Sequence, residues 1–151
     1  MSSKTTTCPS GDEKVLLFGL LMDTNARLTK GLNEVLEKNC ELPLASFDAL
    51  HHLRRVDSRR LKMNELADAI VHSTGGTTRL IDRLTEAGLV VREQCPTDRR
   101  AIYVAITAAG NQKLDEALAS HLDFLQETMA GRLSEGERES LTSLLGKLNA
   151  H

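Results

Sequence analysis

Between Asp12 and Lys38, Leu17, Leu21, Leu28, Leu32 and Val35 recur at three-, four- and seven-residue steps among polar residues, the period of an amphipathic helix. At about 27 residues the segment exceeds an ordinary globular helix, so part of it is expected to pack on a partner. Pro43 opens a second helix, where proline is tolerated in the first turn, with Phe47, Leu50 and Leu53 as its inner face. A third helix is predicted from Met63 to Val71, with Leu66, Ala67 and Ile70 inward and no Ser, Thr or Asp to cap it. Ser73 or Thr74 is expected to cap a fourth, running to about Ala87 over buried Leu80, Ile81 and Leu84, and Gly88 stands where a left-handed terminating residue is needed. Two short helices joined by a tight turn make a helix-turn-helix unit.

The period then changes. Val90–Cys95 and Ile102–Ile106 are β-branched runs separated by the polar turn Pro96–Arg100, and Ile102, Val104 and Ile106 alternate as if one face were covered. A hairpin directly after a helix-turn-helix is a wing. Beyond it Thr107 is a plausible helix cap, and Leu114, Leu118, Leu122, Leu125, Met129 and Leu133 form one apolar stripe. Ser134–Glu137 reads as a capping box for a last helix carrying Leu141, Leu144, Leu145 and Leu148. One Tyr, three Phe and no Trp supply little aromatic core, so these leucine stripes are expected to bury one another across a dimer. The expected fold is mainly α with a small β-hairpin: a winged helix-turn-helix over 43–106 plus a helical dimerisation region. The latter comprises residues 12–39 and 107–151 of a single domain (12–151), preceded by a disordered tail over 1–11.

Charge sharpens this picture. The chain carries a net −2, yet Arg54–Arg100 holds ten basic against seven acidic residues and the remainder nine against fourteen. A basic middle between acidic flanks suits a nucleic-acid surface. No run approaches the roughly 18 apolar residues of a membrane span, and the Ser/Thr-rich start is no signal peptide, so a cytoplasmic protein without membrane contact is expected. Cys8, Cys40 and Cys95 are scattered, with neither a disulfide framework nor a CxxC pair. No nucleophile–base arrangement, phosphate-cradling loop or carboxylate pair points to an enzyme, and no cofactor is implied.

Taken in order, Asn64-Glu65-Leu66-Ala67, Thr78-Arg79-Leu80-Ile81-Asp82-Arg83-Leu84, Glu86-Ala87-Gly88-Leu89-Val90-Val91-Arg92, Asp98-Arg99-Arg100 and Ile106-Thr107-Ala108-Ala109-Gly110 resemble the multiple-antibiotic-resistance regulator (MarR) family across nearly the whole chain. Asp98-Arg99-Arg100 matches its Asp-x-Arg wing motif. The resemblance implies a homodimer on a pseudo-palindromic double-stranded DNA operator, usually a repressor released by a small, often aromatic, ligand. Lys62 departs from it, standing where a Ser or Thr cap is usual, and Gly75-Gly76 falls in the expected first turn of the recognition helix.

The candidate DNA-binding set is Ser73, Thr74, Gly75, Gly76, Thr77, Thr78, Arg79, Arg83, Asp98, Arg99 and Arg100. Arginine forks onto guanine or clasps phosphate, and threonine meets a thymine methyl or a backbone oxygen. Arg100 is expected in the minor groove and Arg99 on a phosphate, with Asp98 bracing the wing by an ion pair or turn hydrogen bond. The family's ligand pocket lies among helices one, two and five, which makes Asn25, Arg27, His51 and His52 candidates for an acidic or phenolic effector, with His121 nearby. Cys40, Glu41 and the histidines have zinc-binding atoms but no metal spacing, so no metal is expected. The alternative is a thiol-based redox sensor using Cys40 or Cys95. Against it, Pro96 follows Cys95, and Glu41 beside Cys40 opposes a thiolate, so no thiol of lowered pKa is expected.

Overall fold

Asp12 Oδ1 accepts the Lys14 N–H at 2.8 Å and starts α1, Glu13–Cys40, in the computed structural model, which describes residues 11–70 and 76–150. The helix closes at Glu41, whose left-handed backbone (φ 50°) lets its N–H reach Glu37 O at 3.0 Å. α2, Leu44–Arg55, follows Pro43, and its first N–H is taken by Asn33 Oδ1 of α1 at 2.8 Å. One helix therefore caps the next.

β1, Arg60–Lys62, was not expected. Three residues are too few to show an alternation, yet they pair antiparallel with β3 in the register Arg60↔Ala105, Leu61↔Val104 and Lys62↔Tyr103. The wing is thus part of a three-stranded sheet ordered β1-β3-β2, with β2 Val90–Gln94 and β3 Ile102–Ile106. Between β1 and β2 lie α3, Met63–Ala69, and α4, Thr77–Glu86. The missing cap of α3 is partly made good by Glu65, whose Oε2 accepts the Lys62 N–H at 3.0 Å. α4 starts later than expected. Gly76 is its N-cap residue and not part of its first turn, so this glycine weakens no helical turn. Ser73, Thr74 and Gly75 lie outside the described residues. At its other end Gly88 (φ 72°) sends its N–H to Thr85 O and Leu89 sends its own to Leu84 O, a Schellman closure.

Thr107 starts α5, Ala108–Leu125, by accepting the Gly110 N–H at 3.0 Å, while its hydroxyl donates to Gly88 O at 2.7 Å. Gly110 is required for this close approach: a Cβ there would lie 2.1 Å from Leu89 O. α5 runs into a π-helical turn, Gln126–Ala130, and the expected Ser134–Glu137 box opens α6, Glu135–Asn149.

The core joins α1, α2, α3, α4, the sheet and α5. Leu36, Leu50, Leu53, Leu66, Ile81, Val90, Val104 and Leu114 have no exposure. Each such side chain contributes roughly 1.5–3 kcal/mol by leaving water. Ile102, expected on the covered face of the hairpin, is exposed near the wing tip, and Leu17, Leu122, Leu144 and Leu148, from the stripes expected to pair across a dimer, are exposed in the single chain. The alternating face of β3 is covered fully only at Val104. Among the described residues no helix is long and apolar enough to cross a membrane.

Candidate nucleic-acid interface

Leu80, Ile81 and Leu84 fix one face of α4 in the core. The opposite face then presents Thr78, Arg79 and Arg83 to solvent, with Thr77 at its start only half-exposed. Arg79 and Arg83 are four residues apart and share that face. Asp82, between them, forms an ion pair with Arg92 of β2 at 2.7 Å. The pair ties the recognition helix to the wing and was not visible in sequence, where Arg92 counted simply as one more positive charge.

The wing is built around Asp98. Its Oδ1 accepts the Arg100 N–H at 2.9 Å and its carbonyl accepts the Ala101 N–H at 3.0 Å, so the bracing expected of it is a turn hydrogen bond. Arg99 and Arg100 stand exposed at the tip. At the sheet's far edge Arg60 bonds Glu93 at 2.9 Å, its guanidinium carbon 4.9 Å from the Tyr103 ring centre. Arg54 of α2 pairs with Asp115 of α5. These ion pairs neutralise three of the ten basic residues of the central segment, and none of the ion pairs among the described residues engages Arg55, Arg59, Lys62, Arg79, Arg83, Arg99 or Arg100. A cleft of about 590 Å³ separates α3 and the start of α4 from the wing.

The four candidate effector residues are not brought together. Asn25 and Arg27 line a groove of about 660 Å³ between α1, the π-helical turn and α6, walled by Leu21, Leu28, Phe124, Leu141 and Leu145. Thr128 and Arg132, which no sequence pattern marked, add polar groups to it. His51 and His52 lie elsewhere. His51 stacks on Phe47 with ring centres 5.7 Å apart, and His121 meets the same ring edge-on at 5.2 Å. Burial pushes the pKa of both below 6.5, with the Arg55 charge assisting at His51. A smaller cavity of about 190 Å³ does lie among helices one, two and five, lined by Leu28, Leu44, Asp48 and Phe124 but by neither histidine.

Cys95 corrects the expectation of ordinary thiols. The Thr97 hydroxyl lies 3.3 Å from its Sγ, and hydrogen bonds from that hydroxyl and the Thr97 backbone lower its pKa. Cys40 is buried, its Sγ 3.6 Å from Ser120 Oγ. Among the described residues no group of His, Cys, Asp and Glu is placed to hold a metal.

The MarR family model matches residues 41–101. An HTH-type transcriptional regulator of Bacillus cereus is 32% identical over 119 residues, 79% of this chain and 77% of the relative. The transcriptional repressor MprA of Escherichia coli is 26% identical over 136 residues, 90% of this chain and 76% of its own. A mutant of MarR from Escherichia coli, solved in complex with operator DNA, is similar with a TM-score of 0.79 at 26% identity, covering 95% of this chain and 100% of that one.

Proposed function

Since the chain belongs to the MarR family of winged helix-turn-helix, DNA-binding transcriptional regulators, we propose that it acts as a homodimeric repressor of a pseudo-palindromic operator, released by a small aromatic or phenolic effector. The observation that carries the reading is the exposed row Thr78, Arg79 and Arg83 beside a wing whose tip holds Arg99 and Arg100. In this reading α4 enters the major groove, Arg79 reaches a base edge, and Arg100 enters the adjoining minor groove, where a narrow channel concentrates negative potential. Thr77 and Gly76 bring the helix start near the backbone, and Asp98 holds the wing in shape. The similar MarR structure bound to operator DNA supports the docking, and the relation to MprA supports the sign of regulation.

Dimerisation is supported by Val15, Leu16, Phe18 and Leu20 on α1 and Leu144 and Leu148 on α6, all more than half exposed in the single chain. The groove holding Asn25 and Arg27 offers apolar walls for a ring and a cation for a phenolate or carboxylate. A second reading, the redox sensor, has one observation in its favour, the lowered Cys95 pKa. Peroxide-induced release from DNA that disappears in Cys95→Ser would decide for it.

The central test sets the parent, Arg79→Ala and Arg100→Ala against a randomised operator library. Arg79→Ala is expected to relax preference within the half-site, by about 1–3 kcal/mol at one position. Arg100→Ala is expected to weaken binding and alter preference mainly at A/T-rich flanks. Binding of every sequence by Arg100→Ala as tightly as by the parent refutes the assignment of the wing.

A further inference from the structure

We infer that the cleft between α3 and the wing seats the sugar-phosphate strand that divides the major groove from the adjoining minor groove, with Lys62 as its ionic contact and Asn64 as a neutral one. The inference rests on the DNA-binding reading above and adds two residues absent from the candidate set. A protein with one element in the major groove and another in the neighbouring minor groove must straddle one strand, so the surface between them meets phosphates. Here that surface is the cleft of about 590 Å³, with Lys62 and Asn64 on one wall, Thr78 at the start of α4, and Arg100 and Ala101 on the other.

Its charge fits an anion. Lys62 and Arg100 face one acid, Asp98, whose Oδ1 is engaged by the Arg100 N–H within the turn. The acid nearest Lys62 in sequence, Glu65, has its Oε2 on the Lys62 backbone N–H, and none of the ion pairs among the described residues involves the ammonium group. The Lys62 backbone is also held in place, opposite Tyr103 in β3 and at the junction of β1 with α3. A half-buried lysine whose backbone is held on both sides loses less freedom when its charge meets a phosphate than a lysine on a loose loop would. This accounts for the departure noted in the sequence. A Ser or Thr at position 62 would cap α3; lysine gives up that hydrogen bond, Glu65 supplies the reciprocal one, and the position gains a cation facing the cleft.

The test is a salt series of binding by the full-length protein to two duplexes, one selected by the parent from the randomised library and one of scrambled sequence. Lys62→Gln is expected to weaken binding on the order of tenfold on both duplexes. It should reduce the slope of log K against log salt by about 0.9 per cleft, or roughly twice that for a dimer. Lys62→Arg should keep the parent slope, which separates loss of charge from loss of fold. Asn64→Ala should weaken binding to both duplexes and leave the slope unchanged. A parent slope in Lys62→Gln, or a change of sequence preference in it, overturns the phosphate seat. Unchanged affinity in Asn64→Ala overturns the role of Asn64. A flat salt dependence in the parent would instead overturn the DNA-binding reading itself.

Discussion

Leu50, Leu53, Leu66, Ile81 and Val104 of the central lobe are wholly buried within one chain, whereas Leu16, Phe18, Leu20, Leu144 and Leu148 of the terminal helices are more than half exposed. Both sets are apolar, so hydrophobicity alone does not separate them. What differs is whether a second layer exists in the same chain. α2, α3 and α4 close on the sheet and on α5, while the start of α1 and the Leu144–Leu148 side of α6 leave apolar side chains uncovered. A lobe that satisfies itself can present a fixed recognition surface, and helices that do not are where the proposed second copy would add stability.

The largest expected effect breaks the self-sufficient side. Leu50→Ala should cost about 2–5 kcal/mol of folding free energy, read as a drop in denaturation midpoint with loss of DNA binding. On the other side, Leu144→Asp combined with Leu148→Asp should dissociate the dimer while leaving the near-native circular dichroism of the lobe. Sedimentation at micromolar concentration reads this, and a parent that sediments as a stable monomer would end the comparison. A third, smaller effect lies at the joint between the two regions. His51 and His121 flank Phe47 and have pKa values held below 6.5 chiefly by burial, facing Arg54, Arg55, His52 and Asp48. Their neutral forms are favoured in the fold, so stability is full above pH 6.5 and falls as pH drops through the depressed values. Replacing both by Gln should flatten thermal stability between pH 7 and 5. The smallest effect is local: Glu41→Gly relieves a left-handed non-glycine residue at the end of α1 and should raise stability by about 0.5–1 kcal/mol, read by thermal melting.

Most of the architecture was legible because it repeats. Leu80, Ile81 and Leu84 mark an inner face, Gly88 a stop, and Thr107 and Ser134 two caps, each a local signal with a local cause. What stayed hidden depends on distant partners. β1 is three residues long and exists through its register with β3, and Arg92 is neutralised by an aspartate that only the fold brings near. The lowered Cys95 thiol likewise arises from the wing turn placing Thr97 against it, a geometry that the following Pro96 does not announce. Of the candidate effector residues, Asn25 and Arg27 border one groove only because the π-helical turn and α6 fold back against α1, while His51 and His52 face a different junction.

Thr107 hangs two helices on one oxygen: its hydroxyl accepts from Gly110 at the start of α5 and donates to Gly88 at the end of α4. Gly110 lets the two pieces of backbone touch there, since no side chain fits between them. A change in the tilt of α5 about this pivot is expected to carry α4 with it. In a two-fold pair the separation of the two recognition helices then works as a ruler, to be matched to one turn of DNA, about 34–36 Å. The gauge of that ruler is set by the tilt of α5, a helix that carries none of the side chains assigned to the operator.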